Sequence, residues 1–180
     1  MEKYANFDSL TELPNRRKWD KDSIECWCIG QKSQIPMTFG IIDIDYFKKY
    51  NDRYGHQQGD IALRRIANTI NRVLFSHNGR IFRCGGEEFY FYLTHDHPHS
   101  NIDYVLDECI ASIINLNIEH KGSLIADIIT VSIGAVRIIP NDCLNLNSVM
   151  KCADQQLYQI KNSTRNDAKV VELNQDGLPI

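Results

Sequence analysis

The chain has 180 residues, 43% of them apolar and 24% charged, with a formal net charge of −3. That length suits one domain with its own core, and without a basic excess a general nucleic-acid binder is excluded, though a compact nucleotide site is not. The apolar runs are too short to span a bilayer, residues 1–6 lack the apolar centre of a signal peptide, and six cysteines without a CxxC pair suit a reduced, cytoplasmic protein.

In chain order, Pro14 and Asn15 read as a turn and an N-cap, followed by a helix over 16–29. The apolar, β-branched run Met37 to Ile44 reads as a buried strand. Residues 51–59 are polar and punctuated by glycine, which predicts a loop. Asp60 then opens a helix whose Ile61, Leu63, Ile66, Ala67, Ile70 and Leu74 fall at helical spacing. Two short strands, 80–84 and 89–93, flank Gly85-Gly86, which predicts a tight hairpin with a primed turn. A helix over 102–116 follows. Next comes a strand within 124–139, with the first arm of a possible hairpin near Ile118. A helix over 148–162 and a short edge strand over 169–173 complete the chain. This order predicts an α/β domain of the α+β kind: a palm-like βαββαβ core with a central, mainly antiparallel five-stranded sheet between helices.

Two acidic groupings carry the chemistry. Asp43 lies inside the apolar run Ile41-Ile42-Asp43-Ile44, where a carboxylate costs several kcal/mol without a partner, so metal binding explains it better than a turn. Asp45, two residues on, is as readily a turn acceptor at the strand end. Glu87 and Glu88 follow the two glycines directly, and by themselves they suit a solvated hairpin tip. If that hairpin lies beside the Met37–Ile44 strand, Glu87 and Asp43 converge at one sheet end. Hard carboxylate oxygens gathered there suit Mg2+ or Mn2+ better than zinc.

Five blocks in this order, DSLTELPNRR, DIDYFKKYNDRYGHQQGD, RCGGEEF, VSIGA and ADQQLYQIKNSTRN, resemble the GGDEF-domain diguanylate cyclases from Asp8 to about Val170. The resemblance implies a catalytic domain over 8–173, a short lead over 1–7 as the remnant of a linker to a sensor or receiver domain, and a tail over 174–180. It implies that Asp43, Glu87 and the main-chain carbonyl of Ile44 hold Mg2+ or Mn2+, with Glu88 joining a second cation or orienting its shell. Either glutamate can assist deprotonation of a ribose 3′-hydroxyl. Asn51 and Asp60 correspond to the guanine-reading pair, since an ionised Asp accepts from both donors on guanine's Watson–Crick edge and would be left unpaired by adenine. Asp60 also fits a helix N-cap. Lys48, Lys161 and Arg165 correspond to triphosphate ligands, joined by backbone N–H groups around Tyr46, Phe47 and Lys48. The implied activity is condensation of two GTP into cyclic di-GMP by a homodimer. The alternatives are a catalytically inactive GTP-binding module and another palm-type nucleotidyl transferase or cyclase.

Three departures stand out. Glu12 replaces a turn glycine in the first block and Thr164 replaces one in the last. Where relatives carry an R-x-x-D product-inhibition motif, this chain has Ser76-His77-Asn78-Gly79, so no product-inhibition site is expected. The run His95-Asp96-His97-Pro98-His99 reads as a solvated loop rather than a metal cluster.

Overall fold

The computed structural model describes residues 5–95 and 101–180. Five helices and five strands are bounded within them: α1 (Arg16–Ser33), β1 (Met37–Ile44), α2 (Phe47–Tyr54), α3 (His56–Ser76), β2 (Gly79–Arg83), β3 (Glu88–Thr94), α4 (Ile102–Ile114), β4 (Val131–Ile138), α5 (Leu146–Lys161) and β5 (Ala168–Glu172). The strands form one sheet in the order β2-β3-β1-β4-β5. Three pairings are antiparallel, and β5 runs parallel to β4.

The sheet is packed on both faces, so its central strands are apolar throughout rather than alternating; β1 and β4 are buried along their whole lengths. Along β1, Ile42 and Ile44 join one core with Leu63, Ile66, Ile70 and Leu106 of α3 and α4. Phe39 and Ile41 join the other with Trp19 and Trp27 of α1 and Val149 and Leu157 of α5. This is the period-2 division expected of a strand. Phe89 and Phe91 of β3 enter the first core, whereas Tyr90 and Tyr92 pack at the second. Helix α5 lies close against the sheet at Gly134, where a Cβ would come 2.3 Å from the Ala153 carbonyl oxygen and 2.4 Å from the Leu157 nitrogen. Its C-terminal end is thereby set beside the end of β1.

Three local expectations are corrected. Residues 51–59 are almost entirely helical: α2 ends at Tyr54, and only Gly55, at φ +86°, separates it from α3. The polarity suggested a loop, but Phe47, Tyr50 and Tyr54 lie on one helical stripe and pack ring to ring. Asp60 is accordingly interior to α3, whose N-cap is Gly55. Finally, the glycine pair does not form a primed turn, because neither Gly85 nor Gly86 has a positive φ. The connection spans residues 84–87, closed by hydrogen bonds from the Cys84 and Gly85 N–H groups to the Glu88 carbonyl at 3.1 and 3.3 Å.

The possible arm near Ile118 exists as a single antiparallel bridge, Glu119 with Ile128. His95 is buried, and its Nε2 lies 2.7 Å from Thr38 Oγ1; residues 96–99 of the histidine run lie outside the described residues. All six cysteines are unpaired, and no helix among the described residues is long and apolar enough to cross a membrane.

Candidate active site

Strand register brings the acidic groups together. Asp43 is the last β1 residue paired with β3, and its partner there is Glu88. Next along, the Ile44 N–H donates to the Glu87 carbonyl at 3.3 Å. On the other side Asp43 stands opposite Ser132 of β4. Asp43 is 4% exposed, and Lys161, from the end of α5, reaches it with Nζ 2.6 Å from Oδ1. Burial pushes the Asp43 carboxyl up to about 6, against the pull of the Lys161 ammonium, and the negative charges of Glu87 and Glu88 add to the rise. At the end of the sheet one ammonium thus meets Asp43, with the charges of Glu87 and Glu88 acting on the same carboxylate.

The donor set fits a hard divalent cation. Among the described residues no three His, Cys, Asp or Glu side chains are gathered tightly enough to hold an ion alone. Magnesium sites beside nucleotides commonly use one or two carboxylates, with the remaining ligands from water and substrate phosphates. Asp43 and Glu87, with the Ile44 carbonyl, are of that chemical kind.

The expected phosphate ligands divide into two groups. Tyr46, at φ +53°, is the N-cap of α2 and offers no side-chain cap, so the first N–H groups of the helix, at Phe47 and Lys48, lie at an uncapped N-terminus. The Arg165 guanidinium sits 4.3 Å from the centre of the Tyr46 ring. Lys161 is engaged with Asp43, whereas the Lys48 side chain is exposed. Asp45 is not a free acidic ligand: its two oxygens accept from Thr130 Oγ1 and Ser132 Oγ, each at 2.7 Å. The turn-acceptor expectation for Asp45 is corrected: its partners lie on and before β4, not in its own turn.

Asn51 and Asp60 stand on α2 and α3, on either side of the corner at Gly55. Asp60 is exposed, as is His56 in the first turn of α3. The Asn51 side-chain oxygen is buried without a hydrogen-bond partner. It rests on Gly59, where a Cβ would lie 1.8 Å from that oxygen. Sequence reasoning missed Gly59, because it precedes the first apolar position of the α3 pattern and reads as loop punctuation.

Arg83 was also missed. Its Nη2 donates to the Gly86 carbonyl at 2.8 Å, and its Nη1 to Asp8 Oδ1 at 2.8 Å. Asp8 in turn accepts from the N–H and hydroxyl of Thr11. The acidic loop is therefore fastened to the N-terminal segment by one side chain. A hollow of about 850 Å³ between α1 and the β2 edge, lined by Lys18, Asp22, Phe75 and Arg80, contains none of these residues. Charge arrangement, not depth, marks the site.

A five-stranded sheet with a β-hairpin delivering carboxylates beside a buried Asp, and an uncapped helix N-terminus alongside, defines a palm-like nucleotide-handling domain. The family model "Diguanylate cyclase, GGDEF domain" matches residues 5–167, so the chain belongs to the GGDEF diguanylate cyclase domain family. It is 37% identical over 169 residues to the diguanylate cyclase VdcA of Vibrio cholerae, covering 92% of this chain and 47% of that protein. It is 33% identical over 171 residues to the probable diguanylate cyclase DgcT of Escherichia coli, covering 92% of this chain and 36% of that protein. The chain thus spans well under two thirds of these curated relatives. Among solved structures, the coiled coil and GGDEF domain of DgcB from Caulobacter crescentus, in complex with c-di-GMP, matches with a TM-score of 0.82 and 29% identity, over 94% of this chain and 87% of that one. SiaD of Pseudomonas aeruginosa, in complex with its activator SiaC, matches with a TM-score of 0.80 and 27% identity, over 94% of this chain and 63% of that one.

Proposed function

We propose that this chain is an active diguanylate cyclase, condensing two GTP into cyclic di-GMP and two pyrophosphates. The observation that carries the reading is Asp43: a buried carboxylate facing Glu88 in register and Lys161 at 2.6 Å at the end of the sheet. A bound Mg2+ or Mn2+ would be held by Asp43, Glu87 and the Ile44 carbonyl, with Glu88 beside it, and would supply Lewis-acid polarisation of the α-phosphate and a lowered pKa for the attacking hydroxyl.

The chain's own residues do the rest. Lys161, Arg165, Lys48 and the N–H groups opening α2 bind and orient the triphosphate. Asp60 accepts from guanine's N1–H and N2–H, and Asn51 reads the same base from the facing helix; adenine leaves Asp60 unpaired. Glu87 or Glu88 takes the proton of the 3′-hydroxyl, which attacks the α-phosphorus of the opposing GTP. Arg83 holds the loop that carries Glu87. Each domain binds one GTP, so two copies face each other in a homodimer and each 3′-hydroxyl attacks across it. Catalysis is positioning plus electrostatics. The catalytic unit is assigned to 8–173, acting in the cytoplasm under an upstream sensor or receiver domain.

Incubation with GTP and Mg2+, with products resolved by mass, tests the reading. Cyclic di-GMP formed at a rate that rises more than linearly with enzyme concentration is the expected result. Nucleotide binding without turnover at high protein concentration would instead indicate a signalling module, and a 3′,5′-cyclic mononucleotide another cyclase. Feedback control is not expected through residues 76–79. There His77 pairs with Glu108 at 2.9 Å and Ser76 bonds back to the Val73 carbonyl. Added cyclic di-GMP is expected to leave turnover unaltered below substrate-competing concentrations; potent non-competitive inhibition would refute this.

A further inference from the structure

Asp45 is fully buried, and its carboxylate is saturated by the protein itself. Oδ2 accepts from Thr130 Oγ1 at 2.7 Å and from the Asn166 backbone N–H at 3.1 Å. Oδ1 accepts from Ser132 Oγ at 2.7 Å and lies 3.6 Å from Arg165 Nη1. A carboxylate offers about four lone-pair sites, so little capacity remains for a ligand. Its partners come from the entry to β4, from β4 itself and from the turn after α5.

Two of the segments tied together here are unusual. Immediately after Asp45 the chain turns through Tyr46 at φ +53° to open α2, and the Asp45 N–H is fixed to the Thr130 carbonyl at 2.9 Å. In the turn after α5, Arg165 and Asn166 both adopt left-handed φ, +51° and +46°. Two successive non-glycine residues in that region need external support. The Asn166 N–H bond to Asp45 is one support, and the Arg165 N–H bond to the Ile160 carbonyl at 3.0 Å is another. Between these segments the Arg165 guanidinium lies on the Tyr46 ring at 4.3 Å. With one edge beside Asp45 and its face on Tyr46, its remaining N–H groups are left for an anion.

We propose that Asp45 is a positioning residue that aims Arg165 at the nucleotide's β- and γ-phosphates and so sets the preference for a triphosphate over a monophosphate. This rests on the reading that Arg165 meets the triphosphate. It assigns Asp45 no contact with substrate or metal.

The test measures binding of 3′-deoxy-GTP, which lacks the attacking hydroxyl, and of GMP, both with Mg2+, by calorimetry on wild type, Asp45→Asn, Arg165→Met and the double variant. Thermal melts check folding. Asp45→Asn is expected to weaken 3′-deoxy-GTP about ten-fold, the worth of one charge-assisted contact, with GMP affinity essentially unchanged. The double variant is expected to bind no worse than Arg165→Met alone. Equal losses for both nucleotides, unchanged affinity for 3′-deoxy-GTP, or a full additional loss in the Arg165→Met background would overturn the assignment. Should Asp45→Asn not fold, Ser132→Ala removes one bond to the same oxygen and is expected to give a loss of about three-fold for 3′-deoxy-GTP only; wild-type affinity there, or an equal loss for GMP, would overturn it too. Failure of the wild type to bind 3′-deoxy-GTP would sink the proposed function itself, a separate outcome.

Discussion

Gly59→Ala separates the geometry of the guanine-reading corner from its stability. A Cβ at this position would meet Asn51 Oδ1 at 1.8 Å, Asn51 Cγ at 3.0 Å and Phe47 Cζ at 3.4 Å. The first contact is impossible, and the Asn51 carboxamide, at the far end of a flexible side chain, is what gives way. Losing one neutral hydrogen bond to the base costs about 0.5–1.5 kcal/mol, so KM for GTP is expected to rise by roughly three- to ten-fold with kcat little changed. Stability moves the other way or not at all. Gly59 is buried in the first turns of α3, where alanine is favoured over glycine by about 0.8–1 kcal/mol, offset in part by the displaced side chain. Pyrophosphate release across a range of GTP concentrations, beside a urea melt, reads both quantities. An unchanged KM with an intact fold would refute the claim that Gly59 seats Asn51; a lost fold would refute the claim that only the carboxamide yields.

The remaining expectations rest on the same site and its supports. Asp43→Asn abolishes turnover and yet stabilises the metal-free protein near pH 8. A folded-state pKa of about 6 against 3.8 makes the ionised form cost roughly 3 kcal/mol, a net figure that already includes the attraction of Lys161. Because the pKa is raised, the wild-type penalty is absent below pH 4 and complete above pH 6, so the gain should fade on acidification; melts from pH 4 to 8 decide it. Glu12→Gly relieves a left-handed residue at φ +60°, worth about 1–2 kcal/mol, against about 0.5–1 kcal/mol of added chain entropy, for a net gain of roughly 0.5–1 kcal/mol in urea melts. Thr164→Gly has no such strain to relieve, since Thr164 does not have a positive φ, and is expected to destabilise by about 0.5–1 kcal/mol. Arg83→Met removes the bonds to Asp8 and Gly86, costing about 2 kcal/mol in the same melts and lowering kcat roughly ten-fold through a loosened loop; an unchanged kcat would mean that the loop holds itself.

The strands were legible because their signals are local. The run from Met37 to Ile44 is apolar at every position but Thr38, Gly40 and Asp43, and a sheet covered on both faces has that signature. What escaped depended on contacts between distant segments. Helix α2 is short and mostly polar, and its aromatic stripe acquires meaning only from the His120 ring that packs against Tyr50 at 5.3 Å. The residue types of the glycine pair permit a primed turn; the loop instead takes a path fastened by Arg83. The sequence points to Lys161 as a triphosphate ligand, but its contact with Asp43 depends on how closely α5 approaches β4 at Gly134, a distance no spacing encodes. The two lost glycines look alike in sequence and differ in structure. Glu12 inherited a left-handed backbone and Thr164 did not.

A repulsive carboxylate group persists here because its neighbours cannot relax. Asp43 alternates along β1 with Ile42 and Ile44, at 0% and 1% exposure, while Phe89 on β3 and Val131 on β4 are both at 0%. Each such side chain contributes about 1.5–3 kcal/mol by burial, so these four outweigh the roughly 3 kcal/mol cost of the ionised Asp43. Moving the charge out of the sheet by a one-residue slip of β1 would exchange the side chains that fill the two cores, setting Ile42 and Ile44 where Phe39 and Ile41 now pack. The register that buries the apolar residues is therefore the register that confronts Asp43 with Glu88. In such an arrangement the electrostatic strain is confined to the sheet end, where Lys161, and on the proposed reading a divalent cation with the triphosphate, can offset it.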